Sequence, residues 1–371
     1  MKLFQLINNY CLAISAASSG SLRKFPGALM SVGRSRIRYS IGPEYHSLYS
    51  LHSKPESGWN AYMTDNDGVR VLERLSSPDT HRFLRDKLAF SLHCVRHGMP
   101  VATILFRYDL DPCSDYDEVA PKVMSIEEWE TALQQAPDEV FCKLIDGRLG
   151  KGAFTAERRG HNWLFDDELG SAADLRRYAL ERLGNGRGWL FQPALKPHPA
   201  LAEIMAPGAL GTLRVTTYLD RNGAQIAFPL LRIPSAGNVV DNFSRGAKGN
   251  LVAAIDAESG RLSKAYYSRS RRWPDIATTD LHPDTGKPIL GREVPFWEET
   301  KALVTAAQEL TPEPPTIGWD IAITATGPLI IEANSQYSTA LWQVAYDYGM
   351  KPDFDRMIES ARACRSAHAP S

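Results

Sequence analysis

Residues 318–334 read Gly-Trp-Asp-Ile-Ala-Ile-Thr-Ala-Thr-Gly-Pro-Leu-Ile-Ile-Glu-Ala-Asn. Two alternating apolar runs flank Ala325-Thr326-Gly327, and glycine at the third loop position suits a left-handed, bulged hairpin turn. Pairing Thr324 with Pro328 puts Asp320 opposite Glu332 in the same register. Directly opposed like charges in strands of Ile, Ala and Leu are unfavourable unless something compensates them. A divalent cation would do so. Asn334, two residues past Glu332 and therefore on the same face, adds an amide oxygen. Asp320, Glu332 and Asn334 are then three hard oxygen donors of the kind Mg²⁺ accepts. The competing reading is an edge hairpin with both acids in water.

Several cations sit where apolar strands are expected. Val140-Phe-Cys-Lys-Leu-Ile145 is broken by Lys143, and a buried ammonium needs an anionic partner. Asp146-Gly-Arg-Leu-Gly-Lys-Gly152 follows, a turn in which Gly147, Gly150 and Gly152 with Lys151 offer backbone amides and charge to a phosphate. No helix and no Lys-Ser or Lys-Thr pair follows, so this is no Walker loop, and a plain hairpin turn is the alternative. Arg214 and Arg232 interrupt two further strands, as arginines that face carboxylates or phosphates do. Lys87 lies on a helical run, where a solvated surface lysine is the ordinary case. Gln192 ends a strand just before Pro193.

The remaining sequence supports an α+β chain. With 371 residues, 43% hydrophobic, and 42 Lys plus Arg against 43 Asp plus Glu, it is neither a disordered tail nor a polyanion binder by bulk charge, and no nucleic-acid partner is expected. The five cysteines are odd in number and form no CxxC pair, which fits a reducing, cytoplasmic setting. No apolar run reaches the roughly 18 residues of a membrane span. Residues 1–43 carry Lys2, Arg23, Lys24, Arg34, Arg36 and Arg38 but no acid. That arm reads as a solvated lead-in, a targeting segment, or a surface that docks on an anionic polymer or lipid, so peripheral membrane contact is open. Helices are expected from Pro78 to about His97, from Ser125 to Ala136, from Ser171 to Leu183 and from Pro295 to Leu310. Strands are expected at 101–106, 140–145, 153–158, 162–165, 189–192, 213–219, 225–233, 251–255 and 262–266.

The order of these parts (Asp-Lys helix, strand lysine, glycine turn, strand ending in a hinge, late hairpin with Asp and Glu-x-Asn) resembles the ATP-grasp superfamily. Leu190-Phe-Gln-Pro193 with His198-Pro199, Thr212-Leu-Arg-Val-Thr-Thr217, Val240-Asp-Asn-Phe243, His282-Pro-Asp-Thr-Gly286 and Gly318-Trp-Asp320 with Ile331-Glu-Ala-Asn334 resemble the sugar-transfer-associated ATP-grasp family over roughly residues 85–340. The resemblance implies two α+β subdomains whose antiparallel sheets grip ATP between them, with a helical, basic extension at 1–75, subdomains at 76–190 and 191–345 and a helical tail at 346–371. It implies that Lys87 and Lys143 hold ATP phosphates under the 147–152 loop, that the hinge at Gln192 contacts adenine, and that Asp320, Glu332 and Asn334 bind Mg²⁺ or Mn²⁺. Arg214 and Arg232 would stabilise the phosphoryl group or a tetrahedral intermediate, and Asp241, Asn242 and Arg245 would face the acceptor.

Two departures are evident. Gly318 stands where the D-alanine ligase branch has an arginine, and Gly246-Ala247 replaces paired glycines. The implied activity is an ADP-forming carboxylate–amine ligase acting through an acylphosphate, on small-molecule or glycan-linked substrates in polysaccharide or glycoconjugate assembly. A phosphotransferase and a non-catalytic ATP-binding module are the alternatives. The basic loop residues Arg245, Lys248, Arg269, Arg271 and Arg272 suggest an acidic acceptor.

Overall fold

The computed structural model describes residues 2–19, 21–112, 115–147, 150, 152–238 and 240–368. Helices come first. α1 (Lys2–Ser18) and α2 (Phe25–Tyr39) pack on each other, and α3 (Pro43–Leu48) and α4 (Asp65–Glu73) follow. Thr64 and Asp67 open α4 with a reciprocal capping box. The run from Ser77 does not form one helix. After α5 (Pro78–Arg85), Asp86 turns to extended backbone and its carboxylate accepts from the N–H groups of Leu88 at 3.0 Å and Ala89 at 3.1 Å, starting α6 (Lys87–Arg96). A mid-run Asp thus acts as an N-cap and places Lys87 in the first turn of a new helix.

The first sheet comprises β1 (Phe106–Asp109), β2 (Glu139–Leu144), β3 (Phe154–Arg159), β4 (Asn162–Phe165), β5 (Glu168–Gly170) and β6 (Gly188–Pro193), in the antiparallel order β1-β6-β2-β3-β4-β5. Its face is covered by α7 (Ile126–Gln135) and α8 (Ala172–Leu183), closing a core around Trp129, Trp163 and Trp189. The first strand therefore lies later than the expected 101–106. Its charged residues are tolerated because Arg107 donates to Asp117 at 3.0 Å and to Ala120 O, while Asp109 takes Arg187 on both oxygens at 2.9 and 2.8 Å. Residues 100–105 instead form a seam between the sheets, with Ala102 N donating to Ile330 O and Leu105 N to Phe191 O.

A short helix, α9 (Pro199–Ala202), leads to the second sheet. It contains β7 (Leu213–Asp220), β8 (Gly223–Ile233), β9 (Leu251–Ile255), β10 (Leu262–Ser268), β11 (Ile276–Thr279), β12 (Thr316–Thr324) and β13 (Gly327–Asn334), in the order β11-β10-β9-β8-β7-β12-β13. Alternation assigns its faces. Val215, Leu231, Ile233, Trp319 and Ile321 point toward Phe90 of α6 and toward Trp297 and Val304 of α10 (Trp297–Leu310). On the other face Leu230, Val252 and Tyr266 meet Tyr45, Trp59, and Trp342 and Phe354 of the closing helices α11 (Thr339–Tyr346) and α12 (Lys351–His368). The helical lead-in and tail therefore share one core.

The β12–β13 turn has two residues, not three. Thr324 pairs with Gly327 and Ile323 with Pro328, yet Asp320 still faces Glu332, because Ile331 bulges out of the ladder between Ile330 and Glu332.

Candidate functional site

Arg214, Asp320 and Glu332 stand in one cross-strand row over β7, β12 and β13. Parity puts the row on the face away from Trp319 and Ile321, where it floors a cleft of about 490 Å³ between the sheets. Each Asp320 oxygen carries a guanidinium: Arg214 Nε lies 2.5 Å from Oδ1, and an Arg232 terminal nitrogen lies 2.9 Å from Oδ2. Burial alone would raise the Asp320 carboxyl, but the two arginines outweigh it and hold the group below the ordinary carboxylate range. Protein cations thus compensate the opposed acids at Asp320, so the charge pairing by itself does not require a metal.

Arg232 also reaches Asp241, 3.3 Å from its Nε, and donates to the Thr212 hydroxyl. Burial opposes its charge, and Asp241 and Asp320 more than restore it. Asp241 accepts from the backbone and hydroxyl of Thr212 at 2.8 and 2.6 Å. Its carboxyl is pushed up by burial, against the pull of Arg232. Thr212 stands immediately before β7, and no local pattern marks its hydroxyl as a partner of Asp241.

The opposite wall brings the lysines. Lys87 Nζ donates to Gly147 O at 2.6 Å and lies 3.5 Å from Glu332 Oε1, tying the glycine turn to β13. Asp86 fixes that helix start, held by Arg187 at 2.5 Å, a link no local pattern reveals. Lys143 is buried on β2. Burial pushes its ammonium down to about 8, with Lys87 adding to the effect and Glu332 and Asp320 opposing it. Gly150 has φ +65°, and a Cβ there would come within 2.9 Å of Val240, so the turn abuts the 240–242 loop where only glycine fits. Gly147 and Gly150 line the cleft. Gly152, at φ +78°, packs beside Leu144 and Trp189, whereas Lys151 lies outside the described residues.

Other expectations are redirected. Gln192 lines the cleft, but its amide nitrogen is engaged by the carbonyls of Ala102 at 3.1 Å and Thr103 at 3.2 Å, so its side chain holds the seam. Asn242 stays in the cleft, its Oδ1 3.5 Å from Arg232. Arg245 leaves it: Glu44 at 2.7 Å and the Tyr45 hydroxyl at 3.0 Å hold its guanidinium against the lead-in. Arg269 is likewise paired with Asp275 at 2.6 Å, so the loops offer less free positive charge than their composition suggests.

A second cavity of about 390 Å³ adjoins the first, walled by α4, α5, α6 and residues 335–338, with His81 donating to or accepting from Ser335 at 2.8 Å. Both cavities are lined by Lys87, Lys143, Glu332 and Asn334.

A divalent cation fits the donors present. Each Asp320 oxygen retains an acceptor site beside its arginine. Glu332 is half-buried at the cleft, and the Asn334 amide donates to Gly318 O at 3.2 Å, leaving its Oδ1 without a protein donor among the described residues. Among the described residues no group of three His, Cys, Asp or Glu forms a separate metal cluster.

A family model described as sugar-transfer associated ATP-grasp matches residues 69–359. A search among curated proteins finds no match. Among solved structures, D-alanyl-alanine synthetase A from Vibrio cholerae is 13% identical with a TM-score of 0.41, over 77% of this chain and 63% of that one. This chain thus spans less than two thirds of that protein's length. D-alanine–D-alanine ligase from Bacillus anthracis is 11% identical with a TM-score of 0.43, over 79% and 72% of the two chains. An N5-carboxyaminoimidazole synthase from Aspergillus clavatus is 10% identical with a TM-score of 0.40, over 76% and 54%.

Proposed function

The chain belongs to the sugar-transfer associated ATP-grasp family, and from that premise we propose that it is an ATP-dependent carboxylate–amine ligase. The observation that carries this reading is the meeting of the two cavities at Lys87, Lys143, Glu332 and Asn334. One cavity takes the nucleotide and the other the carboxylate and then the amine, so the γ-phosphate and its acceptor meet at that junction. A carboxylate oxygen attacks the γ-phosphorus, the bond to the β-phosphate oxygen breaks, and ADP and an acylphosphate result. The amine then displaces phosphate from the acyl carbon.

No side-chain nucleophile is needed; positioning and electrostatics suffice. Lys87 and Lys143 hold the phosphates, and the glycine turn closes over them. Arg214 and Arg232, fixed by Asp320, Asp241 and Thr212, face the negative charge that develops on the transferred phosphoryl group. Asp320, Glu332 and Asn334 would hold Mg²⁺, which when bound neutralises phosphate charge. The family's association with sugar transfer points to an acceptor in polysaccharide or glycoconjugate assembly.

Thermal unfolding with ATP, ADP, AMP or GTP, each with and without Mg²⁺, tests the site. A nucleotide at about 100 times its Kd stabilises by roughly 2.7 kcal/mol. ATP with Mg²⁺ is expected to raise the midpoint most, and Glu332→Gln to remove the magnesium-dependent part. No shift with any nucleotide would sink the proposal. Release of phosphate as well as ADP, only when carboxylate and amine are both present, separates a ligase from a phosphotransferase.

Lys143 adds a pH signature. In the free protein its ammonium titrates at about 8, whereas a bound triphosphate favours the charged form. Above that pH the complex therefore holds more protons than the free protein. ATP affinity is expected to be flat below about pH 7 and to fall toward tenfold per pH unit above about 8. Calorimetric titration across this range checks it, and a flat profile would remove Lys143 from phosphate binding.

A further inference from the structure

The helices α1 and α2 pack on each other and on α3, and part of their apolar surface stays uncovered. Ala13, Ile14, Ala28 and Val32 close on Trp273, whose indole N–H donates to Ser47 at 2.9 Å. Other apolar side chains of these helices stay out of that contact. Phe4 of α1, Leu22 just before α2 and Ile37 of α2 are 79%, 88% and 84% exposed, and Phe25, Leu29 and Met30 are also exposed. Met30, Gly33 and Ile37 recur at i, i+3 and i+7, which makes a stripe along α2 with Leu29 beside it. At about 100° per residue, Arg36 and Arg34 flank that stripe on opposite sides. An apolar patch rimmed by cations is an interaction surface rather than scattered surface hydrophobics.

Charge selects the occupant. Arg34 and Arg38 share Glu56 at 2.7 and 3.2 Å, but exposed Arg23, Lys24 and Arg36 have no ion pair among the described residues. A second copy seated here would bring these cations against their own equivalents, a costly like-charge juxtaposition. No helix among the described residues is long and apolar enough to cross a membrane. What remains is a surface that offers negative charge and accepts apolar side chains at once. We infer that the α1–α2 pair docks the protein on an anionic lipid bilayer, with Leu22, Leu29 and Ile37 entering the headgroup–acyl boundary and Arg23, Lys24 and Arg36 meeting lipid phosphates. This surface lies in residues that precede the family match and is independent of the ligase reading.

Co-sedimentation of the full chain with vesicles of phosphatidylcholine mixed with phosphatidylglycerol, and of phosphatidylcholine alone, tests it. Binding to the anionic vesicles is expected to fall with added salt. Each cation is worth about fivefold near an anionic surface, so combining Arg23→Ser, Lys24→Ser and Arg36→Ser should weaken binding about 100-fold. Combining Leu22→Ser, Leu29→Ser and Ile37→Ser should weaken it at least tenfold. Both sets are exposed, so circular dichroism melts should match the wild type. The inference is overturned if the wild type ignores anionic vesicles, if it binds neutral ones equally, or if either variant binds as the wild type does. It is also overturned if sedimentation velocity without lipid shows a dimer that the combined Leu22→Ser, Leu29→Ser and Ile37→Ser substitutions abolish, which would assign the face to a second copy.

Discussion

Asp320→Ala is expected to lower folding stability by about 3–5 kcal/mol, the range for breaking a buried ion pair from one side. The reason is geometric. Arg214 Nε at 2.5 Å and an Arg232 nitrogen at 2.9 Å converge on one carboxylate that is 6% exposed, and alanine leaves both guanidiniums buried without it. Arg232 keeps Asp241 and Thr212, so Arg214 is the stranded charge. Adding Arg214→Met to Asp320→Ala should therefore recover part of the loss, because an apolar chain of similar length costs less to bury than an unpaired cation. Urea unfolding of the two single variants and the double variant reads this as a coupling energy. A single-variant loss below about 1 kcal/mol would mean that water already reaches the pair.

That pair also marks how far the sequence could be read. The opposition of Asp320 and Glu332 follows from apolar alternation, but the route to it does not. The ladder starts one residue off, and a bulge at Ile331 brings it back. A bulged Ile within a run of Leu and Ile leaves no trace in the pattern. Asp86 was readable in principle, since an Asp before Lys-Leu-Ala is a cap signal, yet the continuing leucine spacing masks the break. The shift of the first strand to Phe106–Asp109 was not readable, because Arg107 and Asp109 are buried on partners far along the chain, Ala120, Asp117 and Arg187. Nor was the fate of Arg245, which Glu44 claims from some two hundred residues away. Local period and punctuation reach the elements and the cleft's charged residues. Long-range partners decide which of those charges are held in ion pairs and which face the cleft.

Lys143→Met is expected to reduce ATP-dependent turnover by about 10²- to 10³-fold, the usual cost of removing one preorganised group that faces transition-state charge. The same substitution should leave the free protein as stable as the wild type or more so. Cys142 beside Lys143 on β2 and Ile145 just past the end of that strand are fully buried, and burial already pushes the Lys143 ammonium down to about 8, the sign of a charge kept where lost solvation disfavours it. Methionine fills similar volume and removes that penalty. Activity and stability therefore move in opposite directions, as they do for a residue retained for function at some expense to the fold. Lys87→Met should behave differently: its ammonium bridges Gly147 O and Glu332, so its loss frees the glycine turn as well as a phosphate contact. Chemical denaturation together with ADP release separates these cases. If Lys143→Met is destabilised by several kcal/mol, the ammonium holds the native fold, and Glu332 is its structural partner instead of a phosphate its functional one.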